Sequence, residues 1–321
     1  MPQTPGNSDQ TTHGGVLGID VGGTKILGIR VVNGEVADRI RVPSQGTHSG
    51  VVGQIESVIA QLIERSDARP RSAGLGIAGF VGMDGVARSA PNTPGLIGVN
   101  LVESLRERFG LDVFVNNDAN CAAIAVAHNR PPGAGLLAIT LGTGIGGGFV
   151  MDGTLIRGRH GYAAEPGHMV VDPNGPKCPC GNRGCWERFS SGSGLGWLAR
   201  RAADAGNGDS LIAVAGSADQ ITGETVTALL GQRDPEAQAV FDEFIFYLAL
   251  GVSNLIMLLD PDEVVISGGL AQLGDTLIKP LLECMKDQFP AAVTQRETSI
   301  TVADLGEDAG AWGAALLAGA R

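Results

Sequence analysis

Three cysteines and one histidine stand close together near the middle of the chain, at His168, Cys178, Cys180 and Cys185. One imidazole nitrogen and three thiolates form a ligand set typical of a tetrahedral structural zinc site. The intervening Cys-Pro-Cys-Gly-Asn-Arg-Gly-Cys stretch is rich in turn residues, as a metal knuckle requires. Because four protein ligands leave no position open for water, we expect this zinc to hold loops together and to perform no chemistry. The alternative is a coincidental cluster.

Two glutamates accompany this cluster. Glu165 lies three residues before His168, and Glu187 lies two residues after Cys185. A zinc ion would therefore clamp both carboxylates to one small substructure, where they can accept hydrogen bonds from several sugar hydroxyls. The alternative is a pair of solvated surface acids.

A first glycine-rich loop contains Asp20, Gly22, Gly23, Thr24 and Lys25. Its paired glycines allow backbone N–H groups to approach phosphate oxygens, and the threonine adds a hydroxyl donor. The aspartate, at a predicted strand end, could hold Mg²⁺ directly or through water. The order Gly-Gly-Thr-Lys before a strand is not a Walker loop, which needs Gly-Lys-Ser/Thr before a helix. A plain hairpin turn is the alternative.

A second glycine-rich loop includes Gly142, Thr143, Gly144 and Gly147. Its glycines match the G-x-G-x-x-G dinucleotide fingerprint formally, but that fingerprint must open a helix. The residues that follow predict a strand and a hairpin turn instead. The pattern therefore favours a phosphate-binding hairpin and argues against a nicotinamide-dependent oxidoreductase.

Two further positions each leave two interpretations open. Gly268-Gly269, between a predicted strand and helix, forms either a tight turn or a passage beneath a nucleotide base or ribose. Asn117-Asp118 follows a strand and begins a helix. Asp118 is either the helix cap or the base that takes a proton from an attacking hydroxyl.

The bulk composition limits the function classes. The 321 residues are 43% hydrophobic and 18% charged with a net charge of −11, which indicates a folded protein of about two domains and argues against nucleic-acid or anionic-membrane binding. The first 14 residues lack the features of a secretory signal, and we expect a flexible tail there. The longest apolar stretch, around residues 244–259, contains two polar residues and predicts a buried helix. We expect a cytoplasmic protein in which Cys121 and Cys284 are buried thiols.

Strand and helix patterns alternate along the chain, which indicates the α/β class. The predicted strands are 16–20, 25–32, 35–42, 73–77, 113–115, 136–141, 148–151, 263–267 and 300–303. The predicted helices are 51–65, 101–109, 119–127, 235–259, 271–289 and the segment from residue 308 onward. The strand–glycine turn–strand unit occurs twice, so we expect two related halves that face each other across a cleft.

With these motifs the chain resembles the ROK family, which combines repressors, uncharacterised frames and sugar kinases. The resemblance runs from about residue 15 to residue 316. It is carried by both glycine loops, Asn117-Asp118-Ala119-Asn120, Glu165-Pro166-Gly167-His168, the three-cysteine knuckle and Cys185-Trp186-Glu187.

The resemblance implies an actin-like ATPase fold (ribonuclease H-like, hexokinase-type) with two α/β domains around the active site. We place the flexible tail at 1–14, a smaller domain at 15–117 plus 305–321, and a larger domain with the zinc knuckle at 118–304. The family also implies a homodimer or homotetramer.

The resemblance further implies roles for individual residues. Asp118 is the catalytic base for the sugar 6-hydroxyl, and both glycine loops hold the phosphates of ATP with Mg²⁺. Gly268 and Gly269 lie beside the adenosine. His168 serves twice, with one ring nitrogen on zinc and the other on a sugar hydroxyl. The implied sugar contacts are Gly79, Asn92, Asn117, Asp118, Glu165, His168 and Glu187.

Two departures from the family are visible. Family glucokinases often carry glutamate where this chain has Asn116, and often an aromatic residue where it has Leu96. Neither position touches the implied chemistry, although Leu96 bears on the wall of the sugar pocket.

The resulting hypothesis is ATP-dependent phosphorylation of a hexose, with glucose as the first choice. The alternative sugars are N-acetylglucosamine, mannose, N-acetylmannosamine and fructose, and polyphosphate remains open as a second donor. A sugar-sensing repressor is disfavoured because the first loop begins at Gly18, which leaves no room for a DNA-binding domain before it.

Overall fold

The structure is a computed structural model that describes residues 14–45, 48–128, 130–131, 133–293, 297–303, 306 and 308–319. Apart from Gly14, the predicted tail lies outside these residues. The strands are β1 Val16–Val21, β2 Lys25–Val32, β3 Glu35–Pro43, β4 Ser72–Ile77, β5 Phe80–Val81, β6 Ala87–Ser89, β7 Asp112–Asn117, β8 Gly135–Leu141, β9 Ile145–Met151, β10 Thr154–Leu155, β11 Glu263–Ser267 and β12 Ser299–Val302. The α-helices are α1 His48–Glu64, α2 Leu101–Phe109, α3 Asp118–Ala127, α4 Glu187–Ser190, α5 Gly192–Asp204, α6 Asp209–Ala215, α7 Gly223–Leu230, α8 Pro235–Leu259, α9 Asp275–Gln288 and α10 Ala309–Gly319.

The chain forms two compact units. Unit 1 comprises Met1–Ala125, Arg159–Gly161 and Glu307–Arg321, and unit 2 comprises Val126–Gly158 and Tyr162–Gly306. The division falls inside α3, whereas the sequence analysis placed it between residues 117 and 118. Asp118 therefore belongs to unit 1 together with the first glycine loop.

Each unit contains a five-stranded sheet of the same design. The strand orders are β3-β2-β1-β4-β7 in unit 1 and β10-β9-β8-β11-β12 in unit 2. In both sheets the first strand pairs antiparallel with its hairpin partner and parallel with the strand on its other side. This repeated order confirms the prediction of two related halves.

Local turn chemistry sets the hairpins. Asn33 and Gly34 have φ values of 51° and 80°, and Asp152 and Gly153 have φ values of 50° and 69°. Two consecutive residues with positive φ form the turn that matches strand twist, which is why Asn-Gly and Asp-Gly predict hairpins correctly.

The structure also corrects the predicted elements. The predicted helix 271–289 is interrupted at Gly274, whose φ of 54° and ψ of −123° separate a 3-10 turn from α9. Strand β9 begins at Ile145, earlier than predicted, because three consecutive glycines continue the strand. Helices α4 to α7 were not predicted; they pack on one another and on α8 in the core of unit 2.

Among the described residues, α8 is the one helix long and apolar enough to cross a membrane by length and composition, and half of its most apolar window is buried inside the protein. Phe241, Phe244, Leu248 and Val252 on its buried face belong to the core of unit 2. The prediction of a buried helix is therefore confirmed.

A tryptophan next to the cysteine knuckle lies against α8. Trp186 is fully buried, and its indole N–H donates to the carbonyl of Tyr247, 2.8 Å away. A Cβ added at Gly251 would lie 2.1 Å from the indole ring, so the ring occupies the space that a side chain would need. The absence of a side chain at Gly251 therefore allows the indole to pack directly against the backbone of α8.

We expect Gly251→Ala to lower the free energy of unfolding by about 1–3 kcal/mol, because the methyl group overpacks the indole. Gly53→Ala in α1 is the matched control, since no atom lies within 4 Å of its added Cβ. The control should be stabilised by about 0.5–1 kcal/mol through the reduced backbone entropy of the unfolded chain. Thermal and urea unfolding of both variants provide the measurement, and equal midpoints would contradict this packing.

Candidate active site

The first glycine loop joins β1 to β2 in unit 1. The N–H of Gly22 donates to the carbonyl of Lys25 at 2.9 Å, which closes the turn. Thr24 is exposed, so its hydroxyl is available to a ligand. Since a strand and not a helix follows, this loop presents its N–H groups without a helix N-terminus behind them.

Asp20 stands at the end of β1, against the first turn of α10. A Cβ added at Gly310 would lie 2.8 Å from the carboxyl carbon of Asp20, so a side chain there would displace the carboxyl group. Burial and the negative charge of Asp118 raise the pKa of Asp20 to about 7, against the opposing effect of Lys25. A carboxylate held in such surroundings gains most from a nearby cation.

Asn117 caps α3. Its side-chain oxygen accepts the N–H of Asn120 at 3.0 Å, and its amide nitrogen donates to the carbonyl of Gly79 at 3.0 Å. Asn116, behind it, is fully buried and accepts from the side-chain amide of Asn120 at 3.3 Å. The capping bond therefore comes from Asn117 and not from Asp118.

Asp118 makes a different local contact. Its Oδ1 accepts the N–H of the next residue, Ala119, at 2.9 Å. Desolvation by the surrounding protein raises its pKa, although the backbone hydrogen bonds oppose this shift. A carboxyl group with a raised pKa is suited to proton transfer.

Asn92 is exposed at the surface of unit 1, where it meets the first glycine loop. A Cβ added at Gly23 would lie 2.8 Å from the Cβ of Asn92. Leu96, by contrast, is 1% exposed and belongs to the core of unit 1. The leucine that stands where family glucokinases often carry an aromatic residue therefore packs into the core.

The second glycine loop, in unit 2, joins β8 to β9 and is held by the segment that begins α5. The N–H of Gly192 donates to the carbonyl of Gly142 at 2.8 Å, and the hydroxyl of Ser193 donates to the carbonyl of Thr143 at 2.7 Å. The third glycine turn is adjacent, because a Cβ added at Gly268 would lie 2.5 Å from the carbonyl oxygen of Leu141. Gly269 follows it and is exposed.

The four predicted metal ligands converge in unit 2. The ligand atoms of His168, Cys178, Cys180 and Cys185 all lie within 4.8 Å of one another. Sγ of Cys180 is 3.5 Å from Sγ of Cys185, and Sγ of Cys178 is 3.8 Å from Nδ1 of His168. Ligands about 2.3 Å from a shared tetrahedral ion would lie roughly 3.8 Å apart, so the donor set fits one ion.

Both glutamates beside the cluster belong to segments that pack on the second hairpin. Glu165 precedes the 3-10 turn Pro166–His168, and a Cβ added at Gly167 would lie 2.3 Å from the carbonyl oxygen of Ile145. Glu187 begins α4, and its Oε2 accepts the N–H of Ile145 at 2.9 Å. The structure thus brings the glutamate segments and the second loop together within unit 2.

Several supporting residues escaped the sequence analysis. Ser191, Ser193 and Gly310 each contact a predicted site residue or the loop that carries it. The serines had a local signal, since serine before a helix is a frequent N-cap, and Ser191 does accept the N–H of Gly194 at 3.0 Å. The contact of Gly310 with Asp20 joins distant parts of the chain and had no local signal.

The comparisons with known proteins agree on one family. The ROK family model matches residues 16–321. The glucokinase of Thermotoga maritima is 33% identical over 309 residues, which cover 94% of this chain and 96% of the relative. The N-acetyl-D-glucosamine kinase of Shigella boydii serotype 4 is 31% identical over 271 residues, which cover 79% of this chain and 84% of the relative.

A solved structure supports the same assignment. The ROK family glucokinase from Streptomyces griseus, crystallised in complex with glucose and AMPPNP, has a TM-score of 0.79 at 33% identity, covering 95% of this chain and 99% of that chain. The expected fold class, an α/β protein of the ROK hexokinase type, is thereby confirmed.

We expect the cluster to bind about one metal ion per chain, as a four-ligand site requires. Cys180→Ser removes one thiolate and should reduce the bound metal to a small fraction, with a lower melting temperature. Cys284→Ser is the matched control, because this half-buried cysteine lies outside the cluster. Elemental analysis after gel filtration gives the result, and equal metal content in both variants would contradict the site.

Proposed function

The chain belongs to the ROK family, and on that premise we propose that it is an ATP-dependent kinase that phosphorylates the 6-hydroxyl of a hexose, with glucose as its preferred acceptor. The observation that carries this proposal is the state of Asp118. Its carboxyl group has a raised pKa, does not supply the N-cap bond to Asn120, which comes from Asn117, and lies in the same unit as a phosphate-type glycine loop.

Asp118 would act as the general base. As the sugar 6-oxygen attacks the γ-phosphorus of ATP, the carboxylate accepts the hydroxyl proton, the bond to the bridging oxygen breaks, and ADP leaves. Most of the catalysis in phosphoryl transfer comes from positioning and charge stabilisation, and the base contributes the remaining proton transfer.

The nucleotide would be held by the three glycine turns. The N–H groups of each loop would donate to phosphate oxygens, with Thr24 and Thr143 as hydroxyl donors and Lys25 as a cation. Asp20 would hold Mg²⁺ directly or through water, and the bound ion would neutralise charge on the phosphates. Gly268 and Gly269 would lie beside the adenosine.

The sugar would be bound by backbone, amide, carboxylate and imidazole groups of Gly79, Asn92, Asn117, Glu165, His168 and Glu187. Asn117 retains one amide N–H for this purpose, because an NH₂ group has two donors and only one is used by Gly79. The carboxylates of the glutamates accept hydrogen bonds from sugar hydroxyls.

We propose zinc as the metal of the cluster, since three thiolates and one imidazole are the donor set of closed structural zinc sites. His168 turns Nδ1 toward Cys178, so Nε2, on the opposite edge of the ring, would face the sugar. Loss of this metal should therefore also weaken sugar binding. The homodimeric or homotetrameric assembly and the cytoplasmic location stay predictions.

We expect Asp118→Asn to lower kcat by about 10²- to 10⁴-fold, the usual effect of losing a base. Fold and metal content should persist, because Asn117 still caps α3 and the amide keeps the shape of the carboxylate. Glucose binding measured by calorimetry should change only modestly. Turnover within about threefold of wild type would remove Asp118 from the mechanism.

The pH dependence of kcat/KM, measured for wild type and for Asp118→Asn, supplies a second test of the role of Asp118. Protonated Asp118 cannot accept a proton, so activity falls as pH falls through its pKa. Since this pKa is raised, the acid limb of kcat/KM should lie at higher pH than for an ordinary aspartate. The residual activity of Asp118→Asn should lack that limb.

Substrate preference needs a separate test. We expect kcat/KM for glucose to exceed the values for mannose, fructose, N-acetylglucosamine and N-acetylmannosamine in a coupled assay with ATP. The similarity to the N-acetylglucosamine kinase makes that sugar the main competitor. A tenfold advantage for any other sugar would overturn glucose as acceptor and leave the kinase activity intact.

A further inference from the structure

The carboxylate of Glu187 is bonded to the backbone of the second glycine loop. Its Oε2 accepts the N–H of Ile145 at 2.9 Å, between residues 42 positions apart in the chain. A Cβ added at Gly144 would lie 2.2 Å from the same oxygen, so a side chain at this position would displace the carboxylate from its bond with Ile145. The glycine thus has a second role besides exposing backbone to phosphate.

The same loop has a second anchor on its other side. The hydroxyl of Ser193 donates to the carbonyl of Thr143 at 2.7 Å, and its backbone N–H reaches the same oxygen at 3.3 Å. With the bond from Gly192 to Gly142, the start of α5 holds the two residues that precede Gly144. The loop is therefore fixed from two directions.

We propose that Glu187 is a positioning residue for the nucleotide loop as well as a sugar ligand, and that Ser193 is the second positioning residue of this loop. The inference rests on the proposed function, in which the loop binds the phosphates of ATP. A carboxylate has about four acceptor sites, so the bond from Ile145 leaves capacity for a sugar hydroxyl. One side chain then joins the sugar site to the phosphate site.

Unit 1 contains a parallel contact. The added Cβ of Gly23, in the first glycine loop, would lie 2.8 Å from the Cβ and 3.1 Å from the carbonyl oxygen of Asn92, a proposed sugar ligand. In each unit, a glycine of a phosphate-type loop is in direct contact with a proposed sugar residue. If sugar binding and nucleotide binding are coupled through such contacts, each ligand must change the affinity for the other by the same factor.

The first experiment measures nucleotide binding without sugar. Wild type, Glu187→Ala and Glu187→Gln are titrated calorimetrically with AMPPNP and Mg²⁺. Glu187→Ala should weaken binding by about tenfold or more, the scale of a lost charge-assisted hydrogen bond. Glu187→Gln should fall closer to wild type, because its amide oxygen still accepts from Ile145.

The serine is tested in the same assay. Ser193→Ala should weaken AMPPNP binding by roughly three- to tenfold, the scale of one neutral hydrogen bond, and Ser193→Thr should restore it by keeping the hydroxyl. Ser299→Ala in β12 is the control for serine truncation elsewhere in unit 2. Metal content and melting temperature are recorded for every variant to verify folding.

The reverse direction is tested by sugar binding without nucleotide. Gly144→Ala places a methyl group against Glu187 and should weaken glucose binding about tenfold, although the loop itself is assigned to nucleotide. Gly231→Ala, also in unit 2 but outside both proposed binding sites, is the matched control, because its added Cβ would meet only the carbonyl oxygen of Ala228 at 3.5 Å, an ordinary contact. Its glucose affinity should equal that of wild type.

The outcomes separate this inference from the proposed function. If Glu187→Ala binds AMPPNP within about twofold of wild type, or Gly144→Ala binds glucose as Gly231→Ala does, the role of Glu187 is overturned. Equal AMPPNP affinity of Ser193→Ala and Ser299→Ala overturns the role of Ser193. If wild type binds no AMPPNP at all, the proposed function itself fails, and the inference falls with it.

Discussion

The indole of Trp186 determines where the residues on either side of it project. It is fully buried over Gly251, and its N–H bonds to the carbonyl of Tyr247 in α8. Phe189, one turn later, stacks on the Tyr247 ring at 4.1 Å. Cys185 and Glu187, the direct neighbours of Trp186, are therefore held against α8. The cysteine knuckle and a proposed sugar carboxylate depend on the same buried contact.

The segments held by Trp186 also contact the second glycine loop. The carboxylate of Glu187 bonds to Ile145, while the 3-10 turn that carries His168 packs on the same residue through Gly167. Two ligand-bearing segments thus meet on one strand of a hairpin. Such an arrangement costs little reorganisation on binding, because hydrogen-bond donors and acceptors are in place beforehand.

Much of the architecture follows from local patterns. The hairpins follow from Asn33-Gly34 and Asp152-Gly153, whose backbones adopt positive φ readily, and the parallel strands follow from their apolar runs. The spacing of the cysteines is by itself sufficient to indicate the metal cluster. Prediction failed at Gly274, where a helical pattern contains a backbone conformation that no helix tolerates, and across α4 to α7, where apolar residues serve a core assembled from distant helices.

Residue order alone indicates the two glycine hairpins and the candidate metal cluster, because each depends on neighbours within a short stretch, and it indicates the α/β class and the family because many such short patterns occur in sequence along the chain. Contacts between distant segments could be settled only by packing. The assignment of the α3 cap to Asn117 instead of Asp118 depends on side-chain orientation at the end of β7. The seat of Trp186 on Gly251 and the bond from Ile145 to Glu187 exist only once unit 2 has folded, since burial and directional hydrogen bonds select one arrangement among many compatible with the sequence.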